Sequence, residues 1–127
     1  MKLSAVFFIL ISLLIFSCAS GPVVVPEDES PSKIIQSAQE ATDANKYRIA
    51  IQYYQVLLER YGHLSEFYCI GNYEIAFIHY KQKRFPEARS GFEHLLALYN
   101  AEGGETLPRR FKILSEMILT NMSERGH

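Results

Sequence analysis

The chain has 127 residues, enough for one domain, and its 13 Lys and Arg against 14 Asp and Glu leave a formal net charge of −1. That balance, with no basic stripe carrying interleaved aromatics, argues against a nucleic-acid binder. Two cysteines are too few for a disulfide-stapled scaffold.

The N-terminus opens with Met1-Lys2 and an apolar run from Ala5 through Phe16. The run is shorter than the ~20 residues that a membrane-spanning helix needs and reads as a signal peptide over residues 1–17. It ends in "IFSC", a small residue, Ser17, directly before Cys18. This resembles a bacterial lipobox, which implies that Cys18 is acylated and becomes the mature N-terminus; ordinary cleavage after a nearby small residue is the alternative. With Cys18 lipidated, Cys69 has no intramolecular partner. Phe67 and Ile70 beside Cys69 offer nothing to lower its pKa, so it reads as a half-buried helix residue.

Residues 18–31, with Pro22, Pro26 and Pro31 and the acidic triplet Glu27-Asp28-Glu29, read as a flexible tether. Extended, it would hold a domain ~30 to 40 Å from a membrane. Helical spacing begins at Pro31, with Ser30 as N-cap and proline at the first helical position.

Five helices follow, and no segment alternates as a strand does, so the predicted fold is all-α. The first runs from Pro31 to Asp43. The second, Tyr47 to Tyr61, places Ala50, Ile51, Tyr54, Leu57, Leu58 and Tyr61 at steps of three and four. The third spans Phe67 to Lys81, the fourth Pro86 to Tyr99, and the fifth Pro108 to Met122. Gly62 and Asn100 follow the closing tyrosines of the second and fourth helices, where left-handed caps are expected. Residues 32–122 form the domain, and 123–127 a disordered tail.

Phe85, Ala88, Phe92, Leu95, Leu96 and Tyr99 repeat the intervals of Tyr47, Ala50, Tyr54, Leu57, Leu58 and Tyr61 at a distance of 38 positions. A small residue early in the second helix of a pair lets two backbones approach, and the large residues that follow fill the space beyond. The pattern resembles the tetratricopeptide repeat, with Ala38 and Ala76 in the small-residue place of the first helices. The spacing exceeds the usual 34 residues of that repeat, and Gly62 and Asn100 stand where a closing proline is common. The architecture expected is antiparallel helix hairpins, about two repeats plus a C-terminal helix. The same register predicts Ile113, Leu114 and Met117 as the inward face of the last helix, with Phe111, Ile118 and Leu119 facing outward.

A lipobox, a tether and lengthened repeats over Ser32–Tyr99 together resemble the BamD family of outer-membrane β-barrel assembly lipoproteins. That resemblance implies a lipid-anchored, periplasm-facing adaptor at the outer membrane, partnered by the barrel assembly protein and its client peptides. Longer members carry about five repeats, so contacts made by later repeats are not implied here. The alternatives are a scaffold lipoprotein of another envelope machine (pilus, secretin or cell-wall complex) and a self-associating structural lipoprotein.

Signatures of catalysis are missing from the sequence. His63, His79, His94 and His127 lack HExxH or metal-ligand spacing, and no GxSxG or phosphate-binding loop occurs. The expectation is a non-enzyme without cofactor or metal. In repeats of this kind the first helix of each pair lines the concave face, where Tyr73, Phe77 and Tyr80, flanked by Glu74 and Lys81, form a candidate peptide stripe. Its alternative is packing against neighbouring helices. Phe111, Ile118 and Leu119 are the candidate second contact with a larger protein.

Overall fold

The computed structural model describes residues 21–127; the signal peptide expected over residues 1–17 and the predicted acylation site Cys18 lie outside the described residues. Five helices make up the fold: α1 (Pro31–Asp43), α2 (Tyr47–Tyr61), α3 (Ser65–Lys81), α4 (Phe85–Tyr99) and α5 (Arg109–Glu124), with a 3₁₀ turn at Gly104–Thr106. No strand occurs among the described residues, so the fold is all-α. α1 pairs with α2, and α3 with α4; α3 also packs on α2, and α5 on α4 and α3.

Local chemistry sets the helix boundaries. Ser30 caps α1, its Oγ accepting the Lys33 N–H at 3.3 Å, with Pro31 in the first turn. α2 and α4 lack a side-chain cap because each starts directly out of the preceding turn. In the first turn Asn45 sits at φ 57°, the Asn45 N–H donates to the Thr42 carbonyl at 3.0 Å and the Lys46 N–H to Ala41 at 2.8 Å. In the second, Lys83 sits at φ 60°, the Lys83 N–H donates to Tyr80 at 3.0 Å and the Arg84 N–H to His79 at 2.9 Å. These paired bonds form a Schellman motif, which satisfies the last carbonyls of a helix. α5 ends the same way, with Gly126 at φ 77° and the His127 N–H on Met122 at 2.9 Å.

The left-handed caps therefore follow α1, α3 and α5, and the expectation for Gly62 and Asn100 is corrected. Both are right-handed, at φ −64° and −94°. Glycine suits position 62 for another reason: a Cβ there would collide with the Leu58 carbonyl oxygen. Residues 123–127 likewise finish a helix and its cap rather than trailing free.

Packing follows the repeat. Ala50, Tyr54 and Leu57 on α2 and Ala88, Phe92 and Leu95 on α4, the same places 38 positions apart, are all 0% exposed. α3 is buried on two sides through Cys69, Gly71, Tyr73, Ala76 and Ile78, because it closes its own hairpin and stacks on the first. A Cβ at Gly71 would stand 2.6 Å from Leu58 Cγ, so α2 and α3 meet there at glycine distance. One apolar cluster gathers Ile34, Ala38, Tyr54, Leu57 and Ile78, and a second gathers Tyr73, Phe92, Leu95, Phe111 and Met122.

The segment before α1 is not a free tether. Val23 donates its N–H to Gln52 Oε1 at 2.8 Å, Arg60 Nη2 donates to the Val25 carbonyl at 2.9 Å and Tyr61 Oη to the Glu29 carbonyl at 2.7 Å. Three polar side chains of α2 thus bond the Val23 N–H and the Val25, Pro26 and Glu29 carbonyls of a proline-containing strap that has no helix of its own. Gly21 and Pro22 precede these contacts, and Val24, Glu27 and Asp28 within the strap face solvent.

Candidate functional site

The predicted stripe on α3 splits between core and surface. Tyr73 is only 8% exposed and its ring lies 5.7 Å from Phe92 and 5.6 Å from Phe111. Here the packing alternative holds, and Tyr73 is corrected from a ligand-facing position to the core. From it a row of rings runs along the helix: Tyr73 to Phe77 at 6.0 Å, Phe77 to Tyr80 at 6.2 Å and Tyr80 to Phe85 at 6.0 Å. Phe77 and Tyr80 are half-buried at the edge of the second cluster, and Tyr80 Oη donates to Asn121 Oδ1 on α5 at 3.4 Å.

Glu74 and Lys81 occupy the adjoining face of α3. Burial pushes the Glu74 carboxyl above the usual carboxylate range, and the Lys81 charge opposes that rise. Lys81 is exposed and stands 5.8 Å from the Tyr47 ring centroid on α2. Burial, followed by the Glu74 charge, raises the Tyr73 hydroxyl to about 12; Tyr54 is raised further by burial, then by Glu74 and Asp43. Glu74 is thus a half-buried carboxylate among rings, with an ammonium in its field.

The second predicted surface is turned over. Phe111 and Ile118 are 5% and 7% exposed, while Ile113 and Met117 are 55% and 59% exposed. Leu119 and Leu114 are half-buried flanks of the second cluster. The cause is the connection before α5: Asn100–Pro108 is longer than Gly62–Leu64, so the left-handed cap at Gly126 follows that at Lys83 by 43 positions rather than 38. The loop has nine residues against three and α5 is one residue shorter than α3, so the net shift of five positions rotates the face of the helix by roughly 140°. Ile118, Leu119 and Met122 take the places expected of Ile113, Leu114 and Met117. Ile113 and Met117, four apart, form the apolar part of the solvent face of α5, which sequence reasoning missed because the loop hid the register shift.

The other chemistry-bearing groups lie in the core or in a groove. Cys69 is 0% exposed, and Tyr99 Oη approaches its Sγ at 3.7 Å. Burial raises the Cys69 thiol, so it is a core residue, deeper than its neighbours suggested. His79 and His94 line one groove between α3 and α4, a space of about 540 Å³ with Asn72, Ile75, Ser90 and Gly91. Burial, then the Arg84 charge, lowers the His79 pKa. Among the described residues no group of three His, Cys, Asp or Glu could hold a metal ion, and no helix is long and apolar enough to cross a membrane.

The chain is 31% identical over 110 residues to an uncharacterized protein of Treponema pallidum (strain Nichols). The match takes in 85% of this chain and 44% of that relative, so the chain spans less than half of the protein it resembles. No family model matches, and no solved structure matches.

Proposed function

We propose that this chain is a lipid-anchored, periplasm-facing adaptor that binds protein partners, a BamD-like component of outer-membrane β-barrel assembly. The observation that carries the reading is the duplicated hairpin. Two antiparallel pairs with matching buried positions at Ala38/Ala76, Ala50/Ala88, Tyr54/Phe92 and Leu57/Leu95 and the same turn, stacked through α3, are the unit from which tetratricopeptide-type binding surfaces are made. The apolar run closing in Ser17-Cys18 supports the anchor, with acyl chains on Cys18 holding the protein at the outer membrane. No residue is assigned a catalytic role.

The partner surface is the accessible edge of the α3 row, Phe77 and Tyr80 with Glu74 and Lys81, together with Ile113 and Met117 on α5. Phe111, Ile118 and Tyr73 support these surfaces from beneath and do not touch the partner. Mild-detergent co-purification of the full chain tests the reading. A barrel assembly protein among the captured chains supports it; a pilus, secretin or cell-wall component instead moves the adaptor to another machine, and capture of only a second copy leaves a self-associating lipoprotein. A Cys18→Ala variant that stays in the membrane fraction would remove the anchor.

A further inference from the structure

The two ends of the helix stack differ in charge. At the end formed by the α1–α2 and α3–α4 turns and the close of α5, Lys46, Arg48, Lys81, Lys83 and Arg125 are exposed. The ion pairs among the described residues join Arg84 to Glu87, Arg89 to Glu93 and Arg110 to Glu66; none of those five cations takes part. Asp43 and Glu124 are the exposed, unpaired acids beside them. At the opposite end, Glu27, Asp28, Glu59, Glu102 and Glu105 are exposed and in no ion pair, against two such cations, Lys33 and Arg109; Arg110 there is paired with Glu66. A domain close to neutral overall is therefore polarised along its helices.

Rings accompany the cations. Tyr80 and Phe85 with Lys81, Lys83, Met122 and Arg125 line an open pocket of about 470 Å³, and Tyr47 lies under Lys81. Half-buried aromatics beside lysine and arginine are the side chains that settle at the headgroup level of a bilayer. Lys83 stands in the left-handed position that Asn45 and Gly126 fill in the other two turns. Lysine is the least suited of the three to that backbone, so its charge is kept at the expense of local stability.

The strap points the chain toward this end. It runs parallel to α2, with Val23 at Gln52 and Glu29 at Tyr61, so at Val23 the strap is directed toward the start of α2 at the turns. Gln52 is only ~7.5 Å along the axis from Tyr47, whereas the five steps from Cys18 to Val23 span up to ~18 Å. With residues 23–29 fixed, an anchor on Cys18 leaves no room for the standoff that a free tether would give.

We propose that the turn end of the domain is a membrane-facing surface, on which Lys46, Arg48, Lys83 and Arg125 take the phosphates of anionic lipid headgroups, with Tyr80 and Lys81 at the border between it and the partner edge of α3. This rests on the anchored reading for its geometry: the acyl chains hold the protein at the membrane, and the basic turn end fixes which face of the domain meets the lipid.

The full chain, purified from membranes, is reconstituted into phosphatidylethanolamine vesicles with or without phosphatidylglycerol. A dye is attached to Ala44→Cys at the turn end or Ala101→Cys at the other; Cys69 is buried and unreactive. A headgroup-linked quencher should reach the dye at 44 and not at 101, only with phosphatidylglycerol and less in high salt. Lys83→Gly should lower the equilibrium constant for this contact about fivefold while thermal stability does not fall, which separates lost charge from lost fold. Equal quenching at both positions, stronger quenching at 101, or indifference to phosphatidylglycerol overturns the proposal. So does a Lys83→Gly variant that loses a co-purifying protein with vesicle contact unchanged. Mass spectrometry of the N-terminus tests the anchor separately: an unacylated chain that still sediments with phosphatidylglycerol vesicles through Lys83 refutes the anchor and keeps this surface.

Discussion

The α1–α2 and α3–α4 hairpins share a backbone and differ in what covers them. Ile34, Ser37, Gln52 and Tyr53 meet or line the strap in the first hairpin. Their counterparts 38 positions on, Asn72, Ile75, Ser90 and Gly91, line the open groove of the second. Apolar and aromatic groups in the first hairpin hold a proline-rich segment in place, while glycine and asparagine in the second leave the groove empty of chain. The repeat thus fixes helix pairing and turn geometry, and the residues outside its buried positions decide which surfaces are closed. Tyr54 and Phe92, both 0% exposed, belong to the shared part. Truncating either to alanine should cost ~3 to 5 kcal/mol and, because α3 joins the two clusters, should lower the urea midpoint of the whole domain. A variant that melts only its own hairpin would show that the two are independent.

Overpacking probes the same equivalence at lower cost. Ala50→Leu and Ala88→Leu should each destabilise by ~1 to 3 kcal/mol, and thermal unfolding should show shifts of similar size. The α5 register supplies the contrast: Ile118→Ala should cost ~2 to 5 kcal/mol, whereas Ile113→Ala, on the solvent face, should change stability by under ~0.5 kcal/mol. The reverse ranking would restore the 38-position register for α5.

The sequence made the helices legible because apolar residues recur at steps of three and four, and the hairpins legible because six apolar positions, three of them fully buried, repeat at one interval. Three features escaped it. The register of α5 depends on how many residues a loop absorbs, which periodicity within a helix cannot report. The strap escaped because proline and acidic residues look unstructured, and its bonds come from Gln52, Arg60 and Tyr61, more than two dozen positions away. The left-handed caps escaped in part because lysine holds one of them: Asn45 and Gly126 are residues that signal such a position, and Lys83 is not. That mismatch is itself testable. Lys83→Gly should stabilise the domain by ~1 kcal/mol, and Asn45→Gly, which replaces a residue already suited to the turn, should gain less.

The smallest expected effect concerns Glu74, which has no carboxylate counterpart in the first hairpin, where Gln36 stands 38 positions earlier. Burial raises the Glu74 carboxyl, and Lys81 only partly offsets it. A group whose pKa is higher in the fold than in the unfolded chain binds its proton more tightly when folded, so its contribution to stability is fully present below the unfolded pKa. That contribution is lost as pH rises through the folded pKa. At neutral pH the fold therefore carries an ionised, half-buried carboxylate at some cost. Glu74→Gln, which keeps the shape and removes the charge, should melt slightly higher than the parent at pH 7, and the gap should close as pH falls below the ordinary carboxylate range. His79 moves with the opposite sign: burial lowers its pKa, so its protonation below about pH 6.5 destabilises both proteins equally and cancels in the comparison. Melting temperatures of the pair across acidic and neutral pH decide the point. If Glu74→Gln is less stable than the parent at pH 7, the Lys81 charge outweighs burial, and Glu74 belongs to an ion pair of the fold rather than to a carboxylate held ready for a partner's cation.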